Sequence, residues 1–568
     1  MKILIAQLKP KIGNLEYNIK LITKYYNIAL SQNLDVVLLP ELITTGYLCE
    51  DLFLHPAFID DLQTYVTNLI KITGKTVLLL PTLIYKDARL HNGVLALQHA
   101  TCIGTTTKKC LPNYGVFDEK RYFAEGKPEI IEINGIKVGI VICEDFWFPE
   151  GAKELKAKGA KIILVPNASP YEKDKLNIRI QKAEQCFKDN NLPIIYCNQI
   201  GGYDGLIFDG NSFIYQDGVQ HVLGSFIEDS CIVNVNFPLD LAPTIKLSSL
   251  EDSSHTKPKI IPKTAWSSSL SEAEQVYSAI ILGFREYVIN NGFNSVLLGI
   301  SGGIDSALVS VITADSLGAS QVTLVMLPSE FTSKESIEDA EQIAKNLKTG
   351  YQSISIIDML KSAHDTIGDI SPIAYENLQA RIRGMVLMTL ANSTNSLLIA
   401  TSNKSESATG YATLYGDMCG GFNPIKDLYK TELYKIARFR NKNIPTLIDI
   451  KNRMIDMIPL RIFTKPPSAE LAYNQKDSDS LPGYELLDQI LNLHIEQNLG
   501  VNEIVKLGFD RNIVQKIVLL VKNSEFKRRQ SAIGIKLSSC SFEKERRYPV
   551  TNDYGKAPLG CIDKIFIA

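Results

Sequence analysis

Short apolar runs alternate with more polar stretches along the first 240 residues. Six runs are rich in Val, Ile and Leu and end near Pro, Cys or Asn: KILIAQL, DVVLLP, TVLLLP, KVGIVIC, KIILVP and PIIYC. Runs of this length and composition are typical of buried strands. In places, the segments between them are long enough for helices. The pattern predicts an α/β layered domain whose strand ends carry polar residues that form a site.

The pattern changes at residues 241–270, which are rich in Ser, Pro and Lys, lack periodicity and are predicted to be a linker. Residues 271–540 alternate again, with SVLLGI, VTLVMLP and LLIATS as predicted strands and helical spacing at 337–347. This order predicts a doubly wound parallel sheet, in which ligands bind at the carboxyl ends of the strands. The tail, 541–568, is turn-rich and suggests no role.

Composition narrows the class of protein. The 568 residues are 45% hydrophobic and 21% charged, as expected for globular domains, and the net charge of −2 does not favour nucleic-acid binding. The start of the chain lacks the pattern of a signal peptide, and no apolar run is long enough to predict a membrane span. Ten cysteines without a CxxC pair predict neither a disulfide framework nor a zinc site, so we expect a cytoplasmic protein.

Three predicted strand ends in the first domain carry reactive groups: Glu41 in DVVLLPEL, Lys108 in TTTKKCLPNY and Cys143 in KVGIVICEDFW. Amide hydrolysis needs a nucleophile, a proton acceptor and a cation for the oxyanion, and thiolate, carboxylate and ammonium groups supply these. Singly, each residue has a simpler interpretation. A cysteine at a strand end is often a small core residue, and the other two are often solvated charges.

With their flanking residues, LPEL, KxxLPNYGVFDE and VICEDFW resemble the nitrilase superfamily, most closely its glutaminase branch. The resemblance covers residues 1–240 and implies an αββα sandwich with Glu41 as general base, Lys108 as oxyanion holder and Cys143 as nucleophile. Lys108 is preferred to Lys109 because the family lysine precedes Leu-Pro by three residues. Neighbouring strand residues also face opposite ways, so only one of the two can serve.

The same resemblance implies a glutamine-binding set: Tyr114, Ser169 and Lys175. Glu119, in FDEKRYF, is an acidic neighbour that could be either part of the site or a surface carboxylate.

The run SVLLGISGGIDSALVSVITADSLG is the most specific signal in the second domain. Its glycines allow close approach of the backbone to phosphate, and the following helix supplies free N–H groups and the positive end of its dipole. Asp305 could help to hold Mg²⁺ on the phosphates. A Gly-Gly pair that only makes a tight connection is the alternative. The run does not match GxxxxGK[ST] and is therefore not a Walker A loop.

The hexapeptide SGGIDS is similar to the pyrophosphate loop of the ATP pyrophosphatase family, whose fold is a doubly wound sheet of the adenine nucleotide alpha hydrolase type. Six later stretches resemble the glutamine-dependent NAD synthetases over residues 275–540: MLPSEFTSKESIEDA, ENLQARIRGMVL, ATSNKSESATGYATLYGDMCGGFNPIKDLYKTEL, KPPSAEL, QKDSDSLPGYELLD and EFKRRQ.

This resemblance implies three residue sets. The ATP-binding set is Gly299, Ser301, Gly302, Gly303, Asp305, Ser306, Thr401 and Lys430. The set for deamido-NAD is Asn377, Glu406, Asp417 and Lys527, and the set for Mg²⁺ is Asp305, Glu406 and Ser468. Asp417 and Lys430 could also form a structural salt bridge.

Two further points are left open by the sequence. Arg381 and Arg383 could bind phosphates or carboxylates, or could lie on a solvated helix face. Ser402 replaces a usual glycine, which would cost about 1 kcal/mol if φ were positive there.

The resemblance implies that ammonia freed from glutamine amidates deamido-NAD, activated as an adenylate by ATP with Mg²⁺. It also implies an internal ammonia tunnel and a homo-oligomer with small-molecule substrates. Two alternatives remain. One is another acceptor served by the same loop, against which ENLQAR and YATLYGD argue. The other is a non-catalytic scaffold, against which the presence of Glu41, Cys143 and Asp305 argues.

Overall fold

The computed structural model describes residues 1–238, 243–248, 271–473 and 475–552. The chain divides into two compact units. The first comprises Met1–Gly201 and Ile207–Ser271, and the second comprises Gly202–Leu206 and Glu272–Ala568. Within the described ranges, no helix combines the length and the apolar character needed to cross a bilayer.

The elements of the first 248 residues follow in chain order. The strands are β1 (Lys2–Gln7), β2 (Val36–Leu38), β3 (Val77–Lys86), β4 (Arg89–Gln98), β5 (Thr101–Thr107), β6 (Ile130–Ile133), β7 (Ile136–Ile140), β8 (Ile162–Asn167), β9 (Ile194–Asn198), β10 (Ile200–Tyr203), β11 (Leu206–Asp209), β12 (Phe213–Tyr215), β13 (Val219–Val222), β14 (Asp229–Asn236) and β15 (Thr244–Ser248). The helices are α1 (Leu15–Ser31), α2 (Pro56–Lys71), α3 (Pro149–Ala157) and α4 (Lys175–Asn190). Short 3-10 turns span Glu50–Leu54, Glu119–Arg121 and Cys143–Trp147.

Two sheets form the centre of the first unit, with strand orders β15-β14-β1-β2-β3-β4-β5 and β13-β12-β9-β8-β7-β6. Side chains alternate between two buried layers, as the period of a strand requires. Ile3 and Ile5 pack between the sheets with Ile140, whereas Leu4 packs under the helices with Tyr26 of α1. A third layer places α3 and α4 on the outer face of the second sheet. The αββα sandwich is therefore confirmed.

All six predicted strands of the first domain are present, as β1, β2, β3, β7, β8 and β9. The structure also contains strands that were not predicted, β4–β6 and β10–β15. β15 lies inside the stretch predicted as linker and pairs antiparallel with β14, so regular structure continues past residue 240. Residues 241–242 and 249–270 of the predicted linker lie outside the described residues.

The elements of the second unit also follow in chain order. The strands are β16 (Val296–Gly299), β17 (Val322–Met326), β18 (Gly350–Ser353), β19 (Leu397–Ile399), β20 (Phe422–Asn423) and β21 (Ile533–Gly534). The helices are α5 (Glu272–Asn290), α6 (Ile304–Leu317), α7 (Lys334–Leu347), α8 (Ile357–Ile367), α9 (Pro372–Thr394), α10 (Lys404–Thr409), α11 (Lys430–Lys442), α12 (Leu460–Thr464), α13 (Tyr484–Ile495), α14 (Val501–Lys506), α15 (Arg511–Asn523) and α16 (Glu525–Arg528).

The sheet of the second unit is parallel throughout, in the order β18-β17-β16-β19-β20-β21. The chain direction across the sheet reverses between β16 and β19, which is where ligands bind in doubly wound folds. Ile382 and Val386 of α9 pack on the face of the sheet that carries Leu297. The predicted doubly wound fold is confirmed, and its switch point lies beside the phosphate-loop sequence.

The described part of the predicted tail packs against the second unit. Lys426 Nζ lies 2.7 Å from Glu543 Oε1, and Lys536 Nζ lies 3.1 Å from Glu545 Oε1. Both lysines are buried. The start of the tail therefore helps to hold the segment around β21, a role that the sequence did not suggest.

Candidate active sites

Lys108 lies at the centre of the candidate site in the first unit. Its Nζ is 2.7 Å from Glu41 Oε1 and 2.7 Å from Glu119 Oε1, and all three side chains are fully buried. Lys109 is exposed, and its backbone N–H donates to Asp145 Oδ1 at 3.0 Å. The structure thus brings Lys108, and not Lys109, to Glu41.

Glu41 follows β2 and is held from three directions. Asn92 Nδ2, on β4, donates to Glu41 Oε1 at 2.7 Å, and the backbone N–H of Ala168, just after β8, donates to Glu41 Oε2 at 3.1 Å. Lys108, which follows β5, supplies the third donor. Because these donors fix both oxygens, the carboxylate is an oriented acceptor rather than a mobile charge.

Glu119 is the residue whose place the sequence left most open, and the surface alternative is wrong. Glu119 Oε1 also accepts a hydrogen bond from Tyr47 Oη at 2.6 Å. Burial raises the pKa of Glu119 to about 7, against the opposing effect of the Lys108 ammonium. Burial alone would lower the pKa of Lys108, but Glu119 and Glu41 outweigh it and raise that pKa well above its usual range. Lys108 is therefore charged at neutral pH.

Cys143 opens the 3-10 turn after β7 and is 5% exposed. Its φ of 45° lies in the left-handed region, which residues other than glycine rarely adopt and which is often found at functional sites. Burial and the nearby Glu41 carboxylate raise the pKa of the thiol well above its usual range, although Lys108 lowers it. The resting thiol is therefore protonated, and it needs a base such as Glu41 to become a nucleophile.

The three predicted glutamine-binding residues each contact a residue that sequence reasoning missed. Tyr114 Oη donates to Glu144 Oε1 at 3.0 Å, and the Tyr114 ring is 59% exposed. Ser169 Oγ accepts from Arg179 Nε at 3.1 Å. The ammonium of Lys175, the first residue of α4, lies 4.9 Å from the ring centroid of Trp147.

Of these missed partners, Glu144 was the easiest to anticipate, because it follows Cys143 directly in the sequence. Arg179 gave no local signal. It is fully buried against Asp209, with Nη1 2.9 Å from Oδ1, and only the fold reveals this pair.

The second unit contains a cavity of about 310 Å³ at the carboxyl ends of β16 and β19. Eleven of the residues predicted for ATP, deamido-NAD or Mg²⁺ line it: Gly299, Ser301, Gly302, Gly303, Asp305, Ser306, Thr401, Glu406, Asp417, Lys430 and Ser468. The remaining two, Asn377 and Lys527, do not line this cavity, but they contact the segment that follows α10.

The phosphate loop joins β16 to α6 in the predicted way. Gly302 has a φ of +75°, and a Cβ there would lie 2.4 Å from the carbonyl oxygen of Ser336, so only glycine fits. The Ser301 N–H donates to Ser306 Oγ at 3.2 Å. Gly303 at the N-cap has no capping side chain. The first N–H groups of α6 are therefore available to an anion.

Lys430 joins the two carboxylates predicted to hold a metal. Its Nζ is 2.6 Å from Asp305 Oδ2 and 3.2 Å from Glu406 Oε1. Burial raises the pKa of Glu406 to about 8, and Lys430 opposes this shift. These ion pairs join Lys430 to Asp305 and Glu406 rather than to Asp417, which instead accepts from the backbone N–H of Thr413 at 2.6 Å.

The donor set matches Mg²⁺ only in part. No group of three His, Cys, Asp or Glu side chains among the described residues is arranged to hold a metal. Mg²⁺ at a phosphate site, however, often takes one or two carboxylates and completes its shell with phosphate oxygens and water. Asp305 and Glu406 suit that arrangement. Ser468 is engaged on its own loop, where Oγ donates to the Gln475 carbonyl at 2.5 Å.

Three of the four residues predicted for deamido-NAD contact the segment after α10. Lys527 Nζ donates to the carbonyls of Gly410 and Ala412 at 3.0 and 2.8 Å. Thr413 Oγ1 donates to Asn377 Oδ1 at 2.7 Å, and Thr413 N–H donates to Asp417. Asn377, Asp417 and Lys527 thus shape one segment, 410–413.

Ser402 does not impose the strain considered above. Its φ lies outside the left-handed region, so this position does not require glycine. The Ser402 carbonyl accepts from Asn423 Nδ2 at 2.8 Å, which is a bond that any residue could make.

Comparisons with known proteins match both halves. Residues 2–238 match the carbon-nitrogen hydrolase family, and residues 276–531 match the NAD synthase family. The chain is 39% identical to the glutamine-dependent NAD(+) synthetase of Acinetobacter baylyi, over 97% of this chain and 98% of that protein. It is also 39% identical to the enzyme of the same name from Thermotoga maritima, over 98% of this chain and all of the other.

Solved structures agree with this. The glutamine-dependent NAD+ synthetase of Acinetobacter baumannii, in complex with adenosine diphosphate, aligns with a TM-score of 0.73 and 36% identity, covering 97% of this chain and 98% of that one. A glutamine-dependent NAD(+) synthetase from Cytophaga hutchinsonii aligns with a TM-score of 0.78 at 20% identity over 98% of each chain, which supports the fold.

Proposed function

The chain belongs to the glutamine-dependent NAD(+) synthetases, C–N ligases that use glutamine, and we propose how its residues divide that work. Cys143 and its neighbours release ammonia from glutamine. The cavity of the second unit binds ATP and deamido-NAD and forms the new amide. The observation that carries this division is the buried Glu41–Lys108 pair, which influences the Cys143 thiol and is built wholly within the first unit.

In the first unit, Glu41 takes the proton of Cys143 as the sulfur attacks the glutamine carboxamide carbon. Lys108 stabilises the oxyanion of the tetrahedral intermediate. Glu41 then passes the proton to the leaving nitrogen, ammonia departs, and a glutamyl thioester remains. Water hydrolyses the thioester to glutamate. Tyr114, Ser169 and Lys175 hold the substrate, the ammonium of Lys175 being suited to its α-carboxylate.

In the second unit, the nicotinate carboxylate of deamido-NAD attacks the α-phosphorus of ATP, and pyrophosphate leaves with the electron pair of the broken P–O bond. The loop 301–306 holds the phosphates, with Thr401 and Lys430 beside it. Asn377, Asp417 and Lys527 shape the deamido-NAD side. Mg²⁺ held by Asp305 and Glu406, with Ser468 as a third predicted ligand, would neutralise charge on the phosphates. Ammonia then displaces AMP and gives NAD.

The test is a product assay with ATP, Mg²⁺ and deamido-NAD, and with either glutamine or ammonium chloride as nitrogen source. We expect the wild type to form NAD, AMP and pyrophosphate from both sources. Cys143→Ala should form them from ammonium alone, because its second site is intact. Glutamine-dependent synthesis by Cys143→Ala would refute the proposed nucleophile. Failure of both proteins with both sources, while the wild type still hydrolyses glutamine, would refute the acceptor.

The family resemblance also supports a cytoplasmic homo-oligomer that acts on small molecules. Light scattering coupled to size-exclusion chromatography tests the oligomeric state, and a monomer across the working concentration range would contradict this part of the proposal.

A further inference from the structure

Arg383 projects into the nucleotide cavity, and none of the roles given above includes it. It lies on α9, two residues after Arg381, and the sequence left open whether this pair binds anions or faces solvent. Arg383 Nε donates to the backbone carbonyl of Leu327 at 3.0 Å. This bond fixes the side chain and leaves its two terminal nitrogens for another partner.

The charge balance of the cavity singles out Arg383. Of the cationic side chains that line it in the described part of the chain, Lys430 is paired with Asp305 and Glu406, and Lys465 is paired with Glu470 at 2.8 Å. Arg383 has no ion pair among the described residues, although Glu470, which pairs with Lys465, is near enough to favour its charged form. Burial lowers the pKa of Arg383 to about 10, which still leaves it charged at neutral pH. An unpaired guanidinium in a partly desolvated cavity is suited to an anionic ligand.

Its position along α9 indicates which anion. Leu387, one helical turn further on, approaches Gly299 at the end of β16 so closely that a Cβ on Gly299 would lie 3.1 Å from it. Leu327, which fixes Nε, follows β17, the strand next to β16. Arg383 therefore lies beside the start of the phosphate loop. Asn377 is six residues earlier, about 9 Å along the helix, on the deamido-NAD side.

We propose that the terminal nitrogens of Arg383 bind the α-phosphate of ATP and hold it for attack by the carboxylate. The inference rests on the proposed nucleotide site in this cavity. The α-phosphorus gains a carboxylate oxygen and loses pyrophosphate, and no proton moves. A planar guanidinium can follow the α-phosphate oxygens through that exchange and remain bound to the adenylate.

The test compares AMP, which has the α-phosphate, with adenosine, which lacks it, by titration calorimetry on the whole enzyme. In Arg383→Gln, we expect the Kd for AMP to rise about 10- to 100-fold, as for lost charge-assisted hydrogen bonds, with the Kd for adenosine unchanged. Arg383→Lys keeps the positive charge but lacks the planar, bidentate donor geometry of the guanidinium. Its Kd for AMP should therefore lie between those of the wild type and Arg383→Gln. The kcat of ammonium-dependent synthesis should fall in the same order, less in Arg383→Lys than in Arg383→Gln.

Arg285→Gln is the matched control. Arg285 is also a partly buried arginine, whose Nε and Nη2 donate to the carbonyls of Ser316 and Asp449 at 3.0 and 2.6 Å, away from the cavity lining. It should leave AMP binding unchanged. Glutamine hydrolysis and the thermal midpoint, measured for every variant, exclude misfolding as the cause of any loss.

Three outcomes in Arg383→Gln would overturn the inference. These are unchanged affinity for AMP, an equal loss of affinity for AMP and adenosine, or a loss of affinity for deamido-NAD alone. Lys430→Met, titrated with ATP, separates this failure from failure of the proposed site. If Lys430→Met weakens ATP binding while Arg383→Gln leaves AMP binding intact, only the role of Arg383 is refuted. If neither changes nucleotide binding, the cavity assignment fails.

Discussion

Lys108 and Glu119 form a fully buried ion pair, with Nζ 2.7 Å from Oε1. Glu119 is thus a positioning residue for the ammonium proposed to hold the oxyanion. We expect Glu119→Gln to lower kcat for glutamine hydrolysis about 100-fold, because a small displacement of Lys108 is enough for such a loss. Ammonium-dependent NAD synthesis, measured on the same preparation, should not change. Equal losses in both assays would indicate global damage and contradict the assignment.

The same pair predicts how stability depends on pH. The pKa of Glu119 rises from 4.5 to about 7 in the folded chain, so the folded state binds this proton more tightly. The stability that it contributes is fully present below the unfolded pKa and is lost as pH rises through about 7. The urea midpoint of the first unit should therefore fall from about pH 5 to pH 8 more steeply in wild type than in Glu119→Gln. Equal dependence of the urea midpoint on pH in the two proteins would contradict the raised pKa of Glu119.

Tyr114 and Glu144 predict an effect on binding rather than on chemistry. Removing the Tyr114 hydroxyl loses one hydrogen bond to Glu144 at the proposed glutamine pocket. Tyr114→Phe should raise KM for glutamine about fivefold with little change in kcat. Tyr122→Phe is the matched control, since its exposed hydroxyl bonds Asp51 instead. A fall in kcat without a change in KM would place Tyr114 in the chemical step.

Lys430 tests the second site. Lys430→Met leaves Asp305 and Glu406 without their shared ammonium and should lower ammonium-dependent synthesis about 100- to 1,000-fold. Lys430→Arg keeps the charge with a different shape and should retain part of the activity. The rate of glutamine hydrolysis in the absence of ATP serves as the control and should stay at its wild-type value. Normal synthesis by Lys430→Met would exclude Lys430 from the ATP site.

Lys404 is a buried residue that stabilises the structure next to the second site. Its fully buried Nζ lies 2.8 Å from Asp427 Oδ1 and 2.9 Å from Glu496 Oε1, next to Asn403, which bonds Asp305. Lys404→Met should cost about 3–5 kcal/mol of unfolding free energy, because it leaves the buried Asp427 carboxylate without its cation. Lys345→Met, which breaks an exposed pair with Glu341, should cost less than about 1 kcal/mol. Similar urea midpoints for the two variants would contradict this account.

Much of the fold and of the two candidate sites could be predicted from the sequence, because the reactive residues are concentrated at strand ends. An apolar strand leading into Cys143 or into the loop at Ser301 leaves little choice of local structure, and the six strands predicted for the first domain are all present. β15 escaped notice because Thr244–Ser248 is only partly buried at a sheet edge, where no strong apolar pattern is needed.

Pairings between distant segments could not be predicted. Glu119 contacts Lys108 and Tyr47, and Arg179 contacts Asp209, only because the fold brings together segments that are 11 to 72 residues apart in the chain. Whether Arg383 faces the cavity or the solvent depends on how α9 packs on the sheet, since helical spacing alone allows either orientation. Burial and orientation of charges are tertiary properties that a local motif does not encode.

The left-handed backbone of Cys143 affects which substitutions this protein could accept at position 143. A non-glycine residue in that conformation costs about 1–2 kcal/mol, a local cost that accompanies the reactive side chain at this turn. If the need for glutamine were relaxed, for instance where ammonium is abundant, a change to glycine at position 143 would relieve this backbone strain while silencing the first site. Lineages that lost this activity would then carry glycine at this turn more often than alanine.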